Sequence, residues 1–458
     1  MIENDAFKLL LINLFHLNPD DIANIFCTTF NKMMVLIVTL ADKHQACPYC
    51  GFTAPKIKEY VTKEITHSAL TTQKCIIKYR ARRYKCPCCG KTYYEFNPFV
   101  FKSQKISILT VHNILKDLKD FNETFTSVAR RYHVSPTSVS TIFDNHVDIG
   151  RNPLPEIINF DEVYAFKSEK SKYVCVLLDF KKQIPVDVLP NRKKEYLLNY
   201  FQKIPLEERK KVKYACSDMY EVYRDVVHKV FPCSCMLLDY FHLSQDFHRK
   251  MNEVRIKVMK GYKDDKASDE YYLLKKFNWL LFKNPEDEDK YGRLFDVERE
   301  RKYNSHFKSY MNYYDLRRKL LEINNNLTIC YSLKLELVDF YSKSTIDNAQ
   351  VNLEHLIRSC IDTNIEEMIA FSNNLINWKQ EIINSFTIVG TEYKVEADKG
   401  QVVVCNKKVN NAIIENRNKI IKCIKNNANG YTNWSRFRNR VMYVLDPNTT
   451  FSLEPREK

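Results

Sequence analysis

The sequence predicts a multidomain α/β chain: two small N-terminal modules, then a larger core of strands and helices interrupted by a long helical segment. Three observations predict it. The phrases "CPYCG" at 47–51 and "CPCCG" at 86–90 are near-copies, each with two cysteines separated by two residues and followed by glycine. The stretch "TFTSVARRYHVSPTSVSTIFDNH" at 124–146 carries apolar residues at helical spacing on both sides of a turn signal. From residue 155 short apolar runs alternate with helical periods. A chain of 458 residues has room for roughly two to four domains.

The cysteine phrases come first. Zinc takes four soft ligands in a tetrahedron, and Cys47, Cys50, Cys86 and Cys89 offer them as two knuckles, with Cys88 spare. Gly51 and Gly90 suit the tight turn that points backbone amides at sulfur. Between the knuckles, "KCIIKYRARRYKC" alternates as a strand does. The expectation for 41–100 is a zinc ribbon with an inserted hairpin, its Zn2+ structural because no ligand position is left open. A redox C-x-x-C is the alternative. Other cysteines, such as Cys175, Cys216 and Cys330, sit among apolar neighbours and read as small core hydrophobes in a reducing cytosol.

Charge points to a polyanion. The net charge is +15, and the basic residues cluster in two zones. The first runs from Lys74 to Lys105 and includes Arg82 and Arg83 in "KYRARRYK". The second runs from Lys407 to Arg440, with Lys419, Lys422, Lys425 and Arg436, and Glu415 is its lone carboxylate. Two such zones suggest two phosphate-contacting surfaces; a general solubility charge is the alternative. No apolar run is long enough to span a bilayer, and "MMVLIVTL" at 33–40 reads as a buried strand. The N-terminus is acidic before it is apolar, the wrong order for a secretory signal. A cytoplasmic protein without a membrane partner is expected.

Residues 101–150 read as helical. "KSQKISILTVHNILKDLKDFNET" has apolar residues three and four apart and predicts an amphipathic helix. In 124–146, Val128 and Ala129 lie on a first short helix and "HVSP" is the turn. Ser135 is a natural N-cap, Pro136 suits the first helical position, and Val139 and Ile142 recur on a second helix. This is the pattern of a DNA-binding helix-turn-helix, with Ser135, Thr137, Ser138 and Thr141 facing a major groove. It departs at His133, where glycine is usual. An ordinary two-helix hairpin is the alternative.

The core follows. "EIINFDEVYAF", "KYVCVLLDF" and "QIPVDVLP" read as three strands, "KEYLLNYFQKI" as a helix, and "KVKYACSDMY" as a fourth strand. "EVYRDVVHKVF" is a further helix, and "CSCMLLDYFH" a fifth strand running to Asp239 and His242. Three meandering strands followed by alternating helices and strands is the RNase H-like arrangement. In it the first and fourth strands are neighbours, so Asp161 and Asp218 converge. Two such carboxylates with a third from elsewhere hold Mg2+ (or Mn2+) ions for phosphoryl transfer. Strand-end acids serving as turn formers are the plainer alternative.

Several segments together carry a family resemblance: "NFDEVYAF", "CSDMYEVY", "DYFH", "LKKFNWLLFKNPED" and "NNAIIENRNKIIKCIKNNANGYTNWSRFRNR". In this order they resemble bacterial insertion-sequence DDE transposases of the ISL-three family, from about Cys47 to Tyr443. The most specific part is E-x-x-N-x-x-I-K followed by A-x-G-Y-x-N, here Glu415, Asn418, Ile421, Lys422, then Ala428, Gly430, Tyr431 and Asn433. Asn416 stands where the family usually has glycine, and "VNN" where it has Ser-Asn-Gly. The resemblance implies that Asp161, Asp218 and Glu415 form the catalytic triad and Mg2+ ligands, and that Asp239 and His242 support it as a D-x-x-H element. A plain Glu415–Lys419 surface pair and a strand-end Asp with a capping His are the alternatives.

The resulting division is an N-terminal segment 1–40, a zinc ribbon 41–100, a helix-turn-helix domain 101–150, a first core part 151–244, a mainly helical insertion 245–400, a C-terminal core part 401–445 and a tail 446–458. The expected partners are double-stranded DNA, as transposon ends and target, and further copies of the chain on that DNA. The expected location is the bacterial cytoplasm, at the nucleoid when bound. The expected activity is binding of terminal inverted repeats, cleavage and strand transfer. A domesticated or inactive DNA-binding relative and a nuclease without strand transfer remain open.

Overall fold

A computed structural model describes residues 2–456 apart from 44, 71, 102–103, 167–170 and 396–401. The expected 400/401 boundary and the first two residues of the 102–124 helical reading therefore lie outside the described residues.

The chain opens with α1 (Ile2–Leu14), followed by β1 (Ile22–Phe30) and β2 (Met33–Leu40). Asn31 and Lys32 both have positive φ, the two-residue turn that matches the twist of a hairpin. β3 (Lys56–Thr66), β4 (Cys75–Lys85) and β5 (Thr92–Tyr94) complete one five-stranded sheet. β2 runs parallel to β4 and pairs Met34 with Cys75, so residues 1–40 share a sheet with the cysteine module. β2 is buried on one face: Leu36, Val38 and Leu40 point into the core with Leu11, Ile12 and Phe15, while Ile37 is exposed.

α2 (Ile108–Asp117), α3 (Phe125–Arg131) and α4 (Pro136–His146) form a compact trio. Each starts at a hydroxyl cap, from Ser107, Thr124 and Ser135. Val128, Ala129, Val139 and Ile142 are buried against Ile114 and Leu115. His133 takes φ 54° in the α3–α4 turn, the left-handed conformation that glycine adopts more easily.

The second sheet is built from β6 (Ile157–Val163), β7 (Val174–Asp179) and β8 (Pro185–Leu189). After α5 (Lys194–Gln202) and α6 (Leu206–Arg209) come β9 (Tyr214–Ser217), α7 (Glu221–Val230) and β10 (Cys235–Leu238). The order is β10-β9-β6-β7-β8, with β6–β7–β8 antiparallel and β9 and β10 parallel to β6. This is the RNase H-like sheet that the strand order predicts. The fifth strand is shorter than expected. It stops at Leu238, because the Asp239 carboxylate caps the next helix, and His242 falls in that helix's first turn.

That helix, α8 (Tyr240–Lys260), leads into the insertion with α9 (Asp269–Lys276). Two small hairpins follow, β11 (Glu288–Asp289) with β12 (Gly292–Arg293), and β13 (Lys302–Asn304) with β14 (Ser309–Met311). α10 (Tyr313–Glu322), α11 (Asn325–Lys343), α12 (Ala349–Asp362), α13 (Glu366–Asn377) and α14 (Lys379–Asn384) complete its own apolar core. A hairpin of β15 (Ile388–Val395) and β16 (Val402–Lys408) leads back. Val409 on re-entry packs with Leu237, just before the exit, and with Ile157 and Cys216.

The chain ends with α15 (Ala412–Asn427) and α16 (Trp434–Leu445) on the sheet. Strand side chains alternate between faces. Ile158, Phe160, Cys175 and Leu177 meet α5 and α7 through Phe201 and Tyr223. Val163, Val174, Val176 and Leu178 meet α15 and α16 through Ile414, Ile421 and Phe437. α16 also reaches the α2–α4 unit. Arg440, 1% exposed, donates to the carbonyls of Asp120 and Glu123, and Tyr443 to that of Leu115. The tail adds Ser452 N–H to the His146 carbonyl. Among the described residues no helix is long and apolar enough to cross a membrane.

Phe437 is fully buried and stacked on Phe166, so it fastens α16 to this face. Phe437→Ala is expected to lower stability by about 3–5 kcal/mol, read from denaturant titration followed by tryptophan fluorescence.

Candidate functional site

The cysteines form the first centre. Cys47 and Cys50 precede β3, and Cys86 and Cys89 follow β4, so the antiparallel β3–β4 pair brings the two knuckles together. Sγ of Cys47 lies 3.7 Å from that of Cys89, and Cys50 3.5 Å from Cys86. All four ligand atoms lie within 4.8 Å of one another. The knuckles are built alike. Gly51 donates to the Cys47 carbonyl and Gly90 to that of Cys86, both at 2.9 Å and both with φ above 70°. The Cys89 and Cys88 N–H groups draw the Cys86 thiol down to about 7. Amides that favour thiolate and four converging sulfurs are what a closed zinc site needs. Cys88 is exposed and stands outside the group.

The acids form the second centre. Odd-numbered residues of β6 face α15, and this decides which polar groups meet. Asn159 donates to Asn411 Oδ1 at 2.7 Å and to the Asn410 carbonyl at 2.8 Å. Asn411 Nδ2 returns a bond to the Phe160 carbonyl. Two residues further on, Asp161 Oδ2 accepts from Asn418 Nδ2 at 2.7 Å, and its Oδ1 from the Glu162 N–H. Asp218 follows β9, the parallel neighbour of β6. Glu415 lies in the first turn of α15, three residues before Asn418 and so on nearly the same helix face.

Asp239, His242 and Glu415 present ligand atoms within 4.8 Å of one another. His242 Nε2 is 3.7 Å from Glu415 Oε1 and 3.9 Å from Asp239 Oδ2. The charge of His242 is also felt by Asp161 and Asp218. Glu415 thus groups at ligand distance with Asp239 and His242 rather than with Asp161 and Asp218. Two buried atoms here, Asp218 Oδ1 and His242 Nε2, have no hydrogen-bond partner. Buried polar atoms are normally paired, so these are open to a ligand. Carboxylate oxygens suit Mg2+ or Mn2+, and an imidazole nitrogen suits Mn2+ better.

Sequence periodicity alone assigns no role to Asn159, Asn411 or Asn418. The signals were present: Asn159 and Asp161 share a strand face, and Asn418 lies one turn after Glu415. Glu162 was assigned no role by the sequence. On the opposite face of β6 it pairs with Arg192, whose guanidinium lies over the rings of Tyr173 and Tyr220.

The basic residues have different surroundings. Arg82 is held inside by Glu95 at 2.8 Å and by the Leu40 and Ala41 carbonyls. Arg83 pairs with Glu59 at the surface. Ser135, Thr137 and Thr141 are exposed on α4 and Ser138 is half-buried. Lys419 and Lys422 are exposed on α15, and Lys425 lies over the Tyr164 ring. Arg436 is tied to Asp144.

Burial, and then neighbouring negative charge, sets the proton affinity of the acids. Asp161 is raised to about 7 by burial and by Asp218. Asp218 is raised to about 6 by burial and by Glu162. Both bind protons more tightly folded than unfolded. In divalent-free buffer, stability therefore falls as pH rises from about 4 to 7. Asp218→Asn should make the protein more stable by about 1–3 kcal/mol at pH 8, with little change at pH 4. Added Mg2+ at pH 8 should raise the melting temperature of the wild type more than that of this variant.

Comparison with known proteins agrees with this geometry. The profile of the DDE transposases of the ISL3 type, described as "Transposase", matches residues 158–397. The chain is also similar to the transposase for insertion sequence element IS1001 of Bordetella parapertussis, 20% identical over 409 residues, 89% of this chain and 90% of that protein. The profile match starts on β6, takes in Asp161, Asp218, Asp239 and His242, and stops before Glu415. It covers more than half of the 458 residues, and the chain belongs to the ISL3-type DDE transposase family.

Proposed function

We propose that this protein is an insertion-sequence transposase that binds terminal inverted repeats and catalyses magnesium-dependent DNA cleavage and strand transfer. The observation that carries this reading is the group of Asp239, His242 and Glu415 at ligand distance, beside the buried Asp161 and Asp218, which both feel the His242 side chain. Such a cluster lies where a phosphodiester would be attacked in an RNase H-like core. Asp161, Asp218 and Glu415 are the proposed catalytic acids, with Asp239 and His242 beside them. These side chains would hold a divalent ion, which would acidify an attacking water or 3′-hydroxyl and neutralise charge on the phosphate.

The chain's own residues do the positioning. Asn418 fixes the rotamer of Asp161. Asn411 fixes the start of α15 and with it Glu415. His242 offers Nε2 between two carboxylates, where it holds a proton or accepts a ligand. Burial excludes water from Asp161, which strengthens every charge interaction there.

The remaining assignments complete the proposal. Cys47, Cys50, Cys86 and Cys89 hold a structural zinc ion in residues 41–100. α3 and α4 act as the helix-turn-helix of domain 101–150, with Thr137, Ser138 and Thr141 towards the major groove. Lys419, Lys422 and Lys425 contact phosphate near the acids. The core comprises 151–244 and 401–445 around the 245–400 insertion. The protein works as an oligomer on DNA in the bacterial cytoplasm.

Two measurements test this. A labelled transposon-end duplex incubated with Mg2+ should be cleaved and joined to target by the wild type. Asp218→Ala should cut at least roughly 10²–10³-fold more slowly with binding retained. Binding without cleavage by the wild type would leave a DNA-binding relative, and cleavage without joining a nuclease. Separately, the purified chain should carry about one zinc ion, and Cys50→Ser should lose most of it and loosen the N-terminal sheet.

A further inference from the structure

A polar groove of about 460 Å³ lies where the α2–α4 unit meets the C-terminal helices, away from the acids. One wall is the start and outer face of α3, and the other is the loop from α15 to α16. Asn429 and Gly430 both have positive φ, and the Gly430 N–H closes α15 on the Lys425 carbonyl. This abrupt stop makes the second wall. Phe125 and Tyr431, 6.3 Å apart between ring centres, form the floor.

The lining is one-sided in its chemistry. It holds two guanidinium groups, several side-chain amides and hydroxyls, and no carboxylate. The two arginines are not equivalent. Arg436 is neutralised by Asp144, at 3.0 and 2.6 Å. Arg130 is exposed and has no ion-pair partner among the described residues. Its neighbour Arg131 is held by Asp117 and Glu123. Of two adjacent arginines on one helix, one is structural and the other is left as an uncompensated cation at a concave, donor-rich surface. That combination suits an anion with several oxygens.

The groove's place names the anion. It lies at the far end of α15 from Glu415. Twelve residues at a rise of 1.5 Å make this about 18 Å, roughly five base pairs of duplex. The exposed Lys419 and Lys422 lie between. We propose that the groove seats a backbone phosphate of double-stranded DNA, with Arg130 as the neutralising cation. The proposal rests on the DNA-binding reading above and deepens it. The interaction is with backbone, so it adds affinity without base preference and ties DNA held by α4 to the helix that carries Glu415.

Binding of the full chain to a labelled duplex of arbitrary sequence, followed by fluorescence anisotropy over a salt series, tests it. Arg130→Gln should weaken binding and make the slope of log K against log salt shallower by about 0.9, the value for one phosphate no longer neutralised. Arg130→Lys keeps the charge and should keep the wild-type slope. Arg130 is exposed on α3, and unchanged melting temperatures for both variants verify the fold. A wild-type slope in Arg130→Gln, or an equal weakening in Arg130→Lys, would overturn the groove and leave DNA binding standing. No binding by the wild type would overturn both.

Discussion

Side-chain amides hold α15 against β6 across more than 250 residues of sequence. Asn159 meets Asn411, and Asn418 meets Asp161, in a layer where nearly every other neighbour is apolar. Buried polar groups are costly unless paired, so each of these bonds also excludes other registers of the helix on the strand. A slip of α15 by one residue would orphan both amides and swing Glu415 away from His242. The site is assembled by this docking rather than by any continuous stretch of chain. The apolar contacts of Ile414, Ile421 and Phe437 bring the helices to the sheet, and the amides decide where they stop.

Much of this was legible in the sequence because it is periodic or punctuated. Alternation marked β4 and short apolar runs marked the core strands, whose order predicted the neighbouring positions of β6 and β9. Ile413, Ile414, Ile420, Ile421 and Ile424 marked one face of α15; the structure buries Ile414, Ile421 and Ile424 and leaves Ile413 and Ile420 half-buried. Ser135 and Pro136 marked the start of α4, and the two C-x-x-C-G phrases marked the sulfur cluster. What was illegible depends on pairing between distant segments. No local pattern says that β2 runs beside β4, or that Arg82 is consumed by Glu95. The end of the fifth strand was misjudged because "LLDYFH" has no glycine or proline, and the capping preference of Asp239 overrode its apolar run. Asn418 was visible as part of a motif, but its role needed the opposite strand.

Helix α16 has a second task. Its buried face completes the core, while Arg438, Asn439 and Arg440 donate to carbonyls of Ile149, Val147, Asp120 and Glu123. These are carbonyls that loops and helix ends leave unpaired. The α2–α4 unit is therefore fastened to the core by hydrogen bonds to backbone, which depend on shape more than on side-chain identity, together with the Arg436–Asp144 ion pair.

The chain leaves the sheet at the end of β10 and returns at Val409, and Leu237 and Val409 belong to the same small cluster. In polymer terms the insertion is a closed loop whose ends are pinned at one point. The entropy of closing such a loop grows only logarithmically with its length, about 0.6 kcal/mol for each doubling. The insertion also carries its own apolar core and draws little on that of the sheet. Its outer surface is thus remote from Asp161 and Asp218, whereas Asp239 and His242 begin the helix that packs in its core. A change in its length or outer surface would leave the exit and re-entry residues, and the alignment of α15 on β6, as they are.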